Sequence, residues 1–292
     1  MKTFLLSLIV AGAASLSPAQ DALVSAAWLK ENIADPKLVL FHVGGKASFE
    51  QDHIPGAQLV APADLSIPKV EGALLLQLLP EDPLRQKIES LGVSDDSRVV
   101  VYFGNDEITQ AMRVYFSLDA VGLGDRASVL DGGLPGWKAA GGALTAEVKP
   151  RTAGRITVRP HPELVASLDD VRAGLAVKNI TLIDARTTAL FDGSNPGSMA
   201  RAGHIPGARS LPFANLTTED LKMKTDPEIA EIFRTAGVMP GVPLVSYCNS
   251  GQQATLVYFA AKRLGLAARV YDGSWDEWSR RTDLPVEPAP IK

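Results

Sequence analysis

Short apolar runs alternate with longer amphipathic ones along the second half of the chain. Thr181 to Asp184 and Leu244 to Tyr247 read as buried strands, Ala254 to Leu264 as an amphipathic helix and Ala268 to Tyr271 as the next strand. The first half repeats the pattern. His53-Ile-Pro-Gly-Ala57 recurs as His204-Ile-Pro-Gly-Ala208, and the strand Val99 to Tyr102 recurs as Leu244 to Tyr247, preceded by Gly92-Val93 and Gly237-Val238 respectively. Asp131-Gly132 with Trp137 recurs as Asp272-Gly273 with Trp278. Motifs in the same order at slowly shrinking spacing mark one duplicated domain with loop insertions. Strands that alternate with helices predict an α/β fold of two like domains, each a mainly parallel sheet flanked by helices, with ligands gathering at the carboxyl ends of the strands.

The boundaries follow from composition. A proline-bearing polar stretch, 146–162, with Lys149-Pro150-Arg151 and Pro160-His161-Pro162, is expected to link a first domain at 21–145 to a second at 163–292. Ahead of them, Met1-Lys2, an apolar run from Phe4 to about Leu16, and Ser17-Pro18-Ala19-Gln20 have the layout of an export signal at 1–20. The run is shorter than the ~20 residues that span a bilayer. The expectation is an exported protein, periplasmic or secreted, with no stable membrane insertion after cleavage.

With 46% hydrophobic and 21% charged residues and a net charge of −4, the chain has the makings of two cores and no basic stripe. A nucleic-acid partner is not expected. The two His-Ile-Pro-Gly-Ala motifs lack His or Cys neighbours at ligand spacing, so His53 and His204 read as turn residues; neither metal nor cofactor is expected. Trp275 and Trp278, three apart, read as core residues.

One cysteine stands in the sequence, and an exported chain that cannot make an internal disulfide needs another use for it. Cys248 follows the strand Leu244 to Tyr247 and opens Cys248-Asn249-Ser250-Gly251-Gln252-Gln253 ahead of a helix. A loop so placed turns backbone N–H groups inward, and the helix N-terminus adds positive potential. Both are expected to lower the thiol pKa, favour the nucleophilic thiolate and stabilise a persulfide anion, with Asn249, Ser250, Gly251, Gln252 and Gln253 forming the substrate cradle.

Phe49-Glu-Gln-Asp-His53-Ile-Pro-Gly-Ala57-Gln-Leu-Val60 resembles the amino-terminal signature of the rhodanese family, and Tyr271-Asp-Gly-Ser-Trp275-Asp-Glu-Trp278 resembles its carboxyl-terminal one. The resemblance runs from about Ala22 to Glu287. It implies a sulfurtransferase of the thiosulfate or 3-mercaptopyruvate type, with an inactive first domain and a catalytic second. Sulfur from a small anionic donor would pass through a Cys248 persulfide to a thiophilic acceptor, cyanide or a thiol. The first domain fits this division, because Phe103 stands in the slot of Cys248. Arg186, in Asp184-Ala185-Arg186, resembles the family's substrate-binding arginine, able to bind a carboxylate or sulfonate by paired hydrogen bonds. Arg201 is a weaker candidate for the same work.

The loop also speaks to the donor. Thiosulfate-type loops place cations just after the cysteine, whereas Asn249 and Ser250 are neutral; mercaptopyruvate-type loops resemble Cys-Gly-Ser-Gly, with which Ser250-Gly251 agrees. In that branch the serine is tied to a His and an Asp of the first domain; the matching stretch, 61–80, has Asp64 and Gln77 but no histidine. A related phosphatase loop, Cys-x5-Arg, would need arginine where Ala254 stands. The rival outside catalysis is a persulfide carrier or anion-binding module that serves a partner protein.

Overall fold

A computed structural model of the chain describes residues 22–104, 108–157 and 159–287; the expected export signal lies outside them. The first half runs β1 (Leu23–Val24), α1 (Ala26–Asn32), β2 (Leu38–Val43), α2 (Lys46–Gln51), β3 (Gln58–Val60), α3 (Glu81–Ser90), β4 (Arg98–Phe103), α4 (Ile108–Ala120), β5 (Ala127–Leu130) and α5 (Gly133–Ala139). The second runs β6 (Val165–Ala166), α6 (Leu168–Val177), β7 (Thr181–Asp184), α7 (Thr188–Phe191), β8 (Arg209–Ser210), α8 (Asp226–Thr235), β9 (Leu244–Tyr247), α9 (Ala254–Arg263), β10 (Ala268–Tyr271) and α10 (Ser274–Arg280). Each half forms a five-stranded parallel sheet, ordered β1-β5-β4-β2-β3 in one and β6-β10-β9-β7-β8 in the other. The two orders are the same path through space, as the duplicated sequence predicts. Among the described residues no helix is long and apolar enough to cross a membrane.

The central strands β4 and β9 are almost wholly buried, because helices cover both faces of a parallel sheet. Their tyrosines do the same work in each copy. Ile54 N–H donates to the Tyr102 hydroxyl at 3.1 Å, and Ile205 N–H to that of Tyr247 at 3.2 Å. The His-Ile-Pro-Gly turns are equally alike. His53 stacks on Phe49 and His204 on Phe191, with ring centroids 3.9 and 3.7 Å apart, and each Nδ1 lies within 2.8 Å of its partner's carbonyl. Both histidines therefore fasten a helix to a turn.

The halves meet along α4 and α9. Both helices are buried over most of their circumference, and the polar side chains they bury, Arg113 and Asp119 among them, are paired. Tyr115 packs edge-on against Phe259 at 4.9 Å and Phe116 against Tyr258 at 5.0 Å. The Tyr258 hydroxyl donates to buried Asp119 at 2.7 Å, and Lys262 pairs with the same carboxylate. One apolar cluster runs through the inner faces of both sheets and these helices. The stretch expected as a linker is pinned along the first domain: the Gln58 amide donates to the Lys149 carbonyl at 2.9 Å, Arg151 donates to the carbonyls of Leu38 and Pro36, and Ile156 is buried.

Each half also lends the other a strap. Residues 66–78 close on themselves through the Ser66–Leu78 bridge, and Leu78 N–H donates to Asp272 at 2.8 Å; residues 217–223 close through Thr217–Met223, and Met223 N–H donates to Asp131 at 3.0 Å.

A core shared in this way makes unfolding a single event. Calorimetry should show one transition, and Phe259→Ala, which opens a cavity between the halves, should lower stability by about 3–5 kcal/mol while leaving one transition. Two separate transitions in the unaltered protein would contradict the shared core.

Candidate active site

β9 ends at Tyr247, and Cys248 opens the turn into α9. The backbone N–H groups of Ala254, Ser250 and Gln253 are directed at its sulfur. The turn is held from behind: Trp275 N–H donates to the Cys248 carbonyl at 2.9 Å, Asp276 N–H to that of Asn249 at 3.0 Å, and Cys248 N–H to the Ser274 hydroxyl at 3.3 Å. Gly251 adopts φ +79, a left-handed conformation that favours glycine and lets the loop curl round the sulfur.

The thiol pKa corrects the expectation from sequence. Burial raises it above the ordinary thiol value and outweighs the three N–H groups that lower it; Asp184 adds a further push upward. Cys248 is 1% exposed, so removal of water dominates. The resting sulfur is a neutral thiol inside a cradle shaped for an anion.

Arg186 was expected to face the cleft. Instead it is buried, with Nε and Nη2 bonded to Asp184 at 2.5–3.1 Å, Nη2 also donating to the Gly203 carbonyl, and the guanidinium 4.7 Å from the Trp275 ring centroid. A buried carboxylate two residues away claims the fork, so the role corrects to a brace between β7 and the Trp275 helix. Arg201 departs further. Its guanidinium donates to the carbonyls of Ser279, Leu284, Trp278 and Arg281, closing the C-terminal end of α10. No donor of that fork faces the Cys248 loop, and Arg201 is a clamp.

The other loop residues divide their duties. Ser250 and Gln253 give backbone N–H groups to the sulfur. The Gln252 amide donates to Thr109 of α4 at 3.1 Å, tying the loop to the first domain. The carbonyl oxygens of the Asn249 and Gln253 side chains are buried and have no hydrogen-bond partner among the described residues. Asp64 accepts Ala61 N–H and caps its own turn.

Sequence reasoning missed Arg113. It sits in α4 within Ala111-Met112-Arg113-Val114-Tyr115-Phe116, is 1% exposed, and pairs with Asp272 at 2.6 Å beside Gly251. The signal was available, since a charge on the buried side of a helix needs a buried partner. The longer strap was missed as well. Beyond Leu78, Leu75 N–H donates to Asp276 at 2.8 Å and Arg280 to the carbonyls of Gly72 and Ala73, so 66–78 lies against α10, whose first turn holds the Cys248 loop.

The first domain keeps this architecture without its chemistry. In register, His42 pairs with Tyr102 as Asp184 pairs with Tyr247, so His42-Val43-Gly44 stands where the second domain has Asp184-Ala185-Arg186. The His42 imidazole, pushed down to about 4 by burial and then by His53, is neutral and fills space beside Gly44 and Gly104. Among the described residues no cluster of three His, Cys, Asp or Glu is arranged to hold a metal ion.

Comparison with known proteins agrees with this geometry. The family model for the rhodanese-like domain matches twice, at residues 25–140 and 167–281. The 3-mercaptopyruvate sulfurtransferase of Escherichia coli K12 is 32% identical over 282 residues, covering 91% of this chain and 97% of that protein. A protein of Synechococcus elongatus, provisionally named a thiosulfate sulfurtransferase, is 32% identical over 290 residues, 95% of this chain and 88% of its own length. The crystal structure of SseA from Escherichia coli, described as a 3-mercaptopyruvate sulfotransferase with the rhodanese fold, superposes with a TM-score of 0.77 at 29% identity, covering 87% of this chain and 98% of that one. The chain therefore belongs to the rhodanese-like family, as a two-domain sulfurtransferase.

Two measurements check the corrected site. Alkylation of Cys248 should accelerate steadily as pH rises past the ordinary thiol range near 8.5, because the raised pKa keeps the sulfur protonated at neutral pH; a plateau reached below pH 7 would show a depressed thiol instead. Arg201→Ala should cost roughly 1–3 kcal/mol of stability through its orphaned carbonyls and leave the donor KM unchanged. A KM effect without loss of stability would restore Arg201 to the cleft.

Proposed function

We propose that the chain moves sulfane sulfur from a small anionic donor, 3-mercaptopyruvate in preference to thiosulfate, through a Cys248 persulfide to cyanide or a thiol. The observation that carries this reading is the buried Cys248 sulfur at the end of a central strand with the N–H groups of Ala254, Ser250 and Gln253 directed at it. Cys248 attacks the sulfur of 3-mercaptopyruvate, a sulfur–sulfur bond forms and the carbon–sulfur bond breaks. The electron pair leaves as the enolate of pyruvate, which takes up the proton given up by the Cys248 thiol. The donor's thiol proton stays on the outer sulfur; the acceptor then attacks that sulfur, and with cyanide, thiocyanate leaves while the proton passes to the Cys248 sulfur and restores the thiol.

Donor preference is supported by charge. A protonated thiol supplies the proton that the pyruvate enolate needs, whereas transfer from thiosulfate releases sulfite and brings two negative charges to a loop with no cation at 249 or 250. Residues 1–20 are taken as an export signal that places this chemistry in the periplasm or outside the cell, supported by their basic, apolar and small-residue order. The amino-terminal sequence of the exported protein tests it.

With cyanide as acceptor, kcat/KM should be higher for 3-mercaptopyruvate than for thiosulfate. Cys248→Ser should abolish transfer, and intact mass after donor treatment should show one added sulfur on the unaltered protein only. Persisting transfer in the mutant would sink the mechanism, and a single stoichiometric sulfur without turnover would identify a carrier.

Adding cations beside the sulfur, by Asn249→Arg with Ser250→Lys, should raise kcat/KM for thiosulfate relative to 3-mercaptopyruvate at fixed moderate salt. No shift between donors would show that loop charge does not set the preference.

A further inference from the structure

Arg113 belongs to the domain without the cysteine, yet its guanidinium lies against the cysteine loop. Nη2 is occupied, donating to the Leu76 carbonyl at 2.5 Å and pairing with Asp272 at 2.6 Å. Nε and Nη1 are buried and have no hydrogen-bond partner among the described residues. Nη1 is the nitrogen nearest the loop: a Cβ on Gly251 would meet it at 3.1 Å. A guanidinium withdrawn from water with donors unspent is costly, and the usual resolution is an anion or polar group that accepts from them. Unspent polar atoms also gather on the loop itself, at Asn249 Oδ1 and Gln253 Oε1. The Asn249 and Gln253 amides can turn their NH₂ groups towards an acceptor.

We infer that Arg113, reaching across from the first domain, binds the carboxylate of the sulfur donor through Nη1 beside Gly251. The inference rests on the sulfur-transfer reading and deepens it, since it assigns the donor's anionic group to a residue outside the catalytic domain. Asp272 balances most of the charge of Arg113, so the site offers directed N–H bonds more than a net positive field. That suits a monocarboxylate better than a dianion. Glycine at 251 keeps a side chain away from Nη1, because a Cβ there would sit 3.1 Å from Nη1 and 3.3 Å from Asp272 Oδ1.

Arg113→Lys keeps a cation for Asp272 but loses the guanidinium geometry, and Arg113→Met with Asp272→Asn removes both buried charges together. Each variant should raise the KM for 3-mercaptopyruvate by about ten- to a hundredfold, with a smaller fall in kcat. Discharge of preloaded Cys248 persulfide by dithiothreitol, a step the donor has already left, should proceed at the rate of the unaltered protein. A KM within about twofold of the original in Arg113→Lys would overturn the inference, as would KM, discharge rate and Tm worsening together, which is the signature of a structural role. Should the double variant fail to fold, Arg113→Lys decides alone. Failure of the unaltered protein to load sulfur from any donor would overturn the sulfur-transfer reading and this inference with it; loading with an unchanged KM in the variants overturns this inference only.

Discussion

A sulfur atom that must carry negative charge while shut away from water depends on fixed N–H groups, and the second half of the chain is arranged to supply them. A central strand delivers Cys248 to the sheet edge, Gly251 bends the loop, and Ser250, Gln253 and Ala254 direct their amides inward. Burial still outweighs those amides for the bare thiol. The cradle is therefore better matched to an anionic sulfur than to the resting thiol, and in the transfer proposed above that difference is the differential binding that would accelerate the reaction. Trp275, Ser274 and Asp276 hold the loop by its backbone, so the geometry exists before the donor arrives.

Duplication explains how such a site can be closed on all sides. Each half repeats strand order, tyrosine and histidine turn, and each sends a strap to an aspartate of the other. The copies then diverge. Phe103 and a neutral His42 stand in the first domain where the second has Cys248 and Asp184, while α4 and the longer strap reach the second domain through Arg113, Thr109 and the backbone of 66–78. The apolar cluster that runs through α4 and α9 fixes the distance between the two contributions. The packing between the halves thus sets how Arg113 lies against Gly251.

Local and repeated features could be read from the sequence. The strands Thr181–Asp184, Leu244–Tyr247 and Ala268–Tyr271 lie where their apolar runs predict, and the helix expected to end at Leu264 ends one residue sooner, within the fraying of a helix terminus. Cys248 stands on its strand, loop and helix because that order is local. The arginines were misjudged for a shared reason. Arg186 is held by Asp184, which stands in the motif itself but whose burial beneath the guanidinium comes from the fold, and Arg201 by backbone carbonyls some eighty residues away that leave no mark in a motif. The thiol pKa was misjudged likewise, since the N–H groups are local and the burial that outweighs them comes from the whole fold. Arg113 was legible in part, as a charge on the buried side of a helix, but its partner Asp272 lies in the other half of the chain.

The central claim is that the Cys248 loop holds sulfur in a preformed N–H cradle. A crystal structure of the protein treated with 3-mercaptopyruvate tests it most directly. It should show one additional sulfur bonded to Cys248, within hydrogen-bonding reach of the loop amides, with residues 248–253 in the conformation described above. Sulfur absent from Cys248 in a fully treated crystal, or a loop that must refold to receive it, would contradict the account.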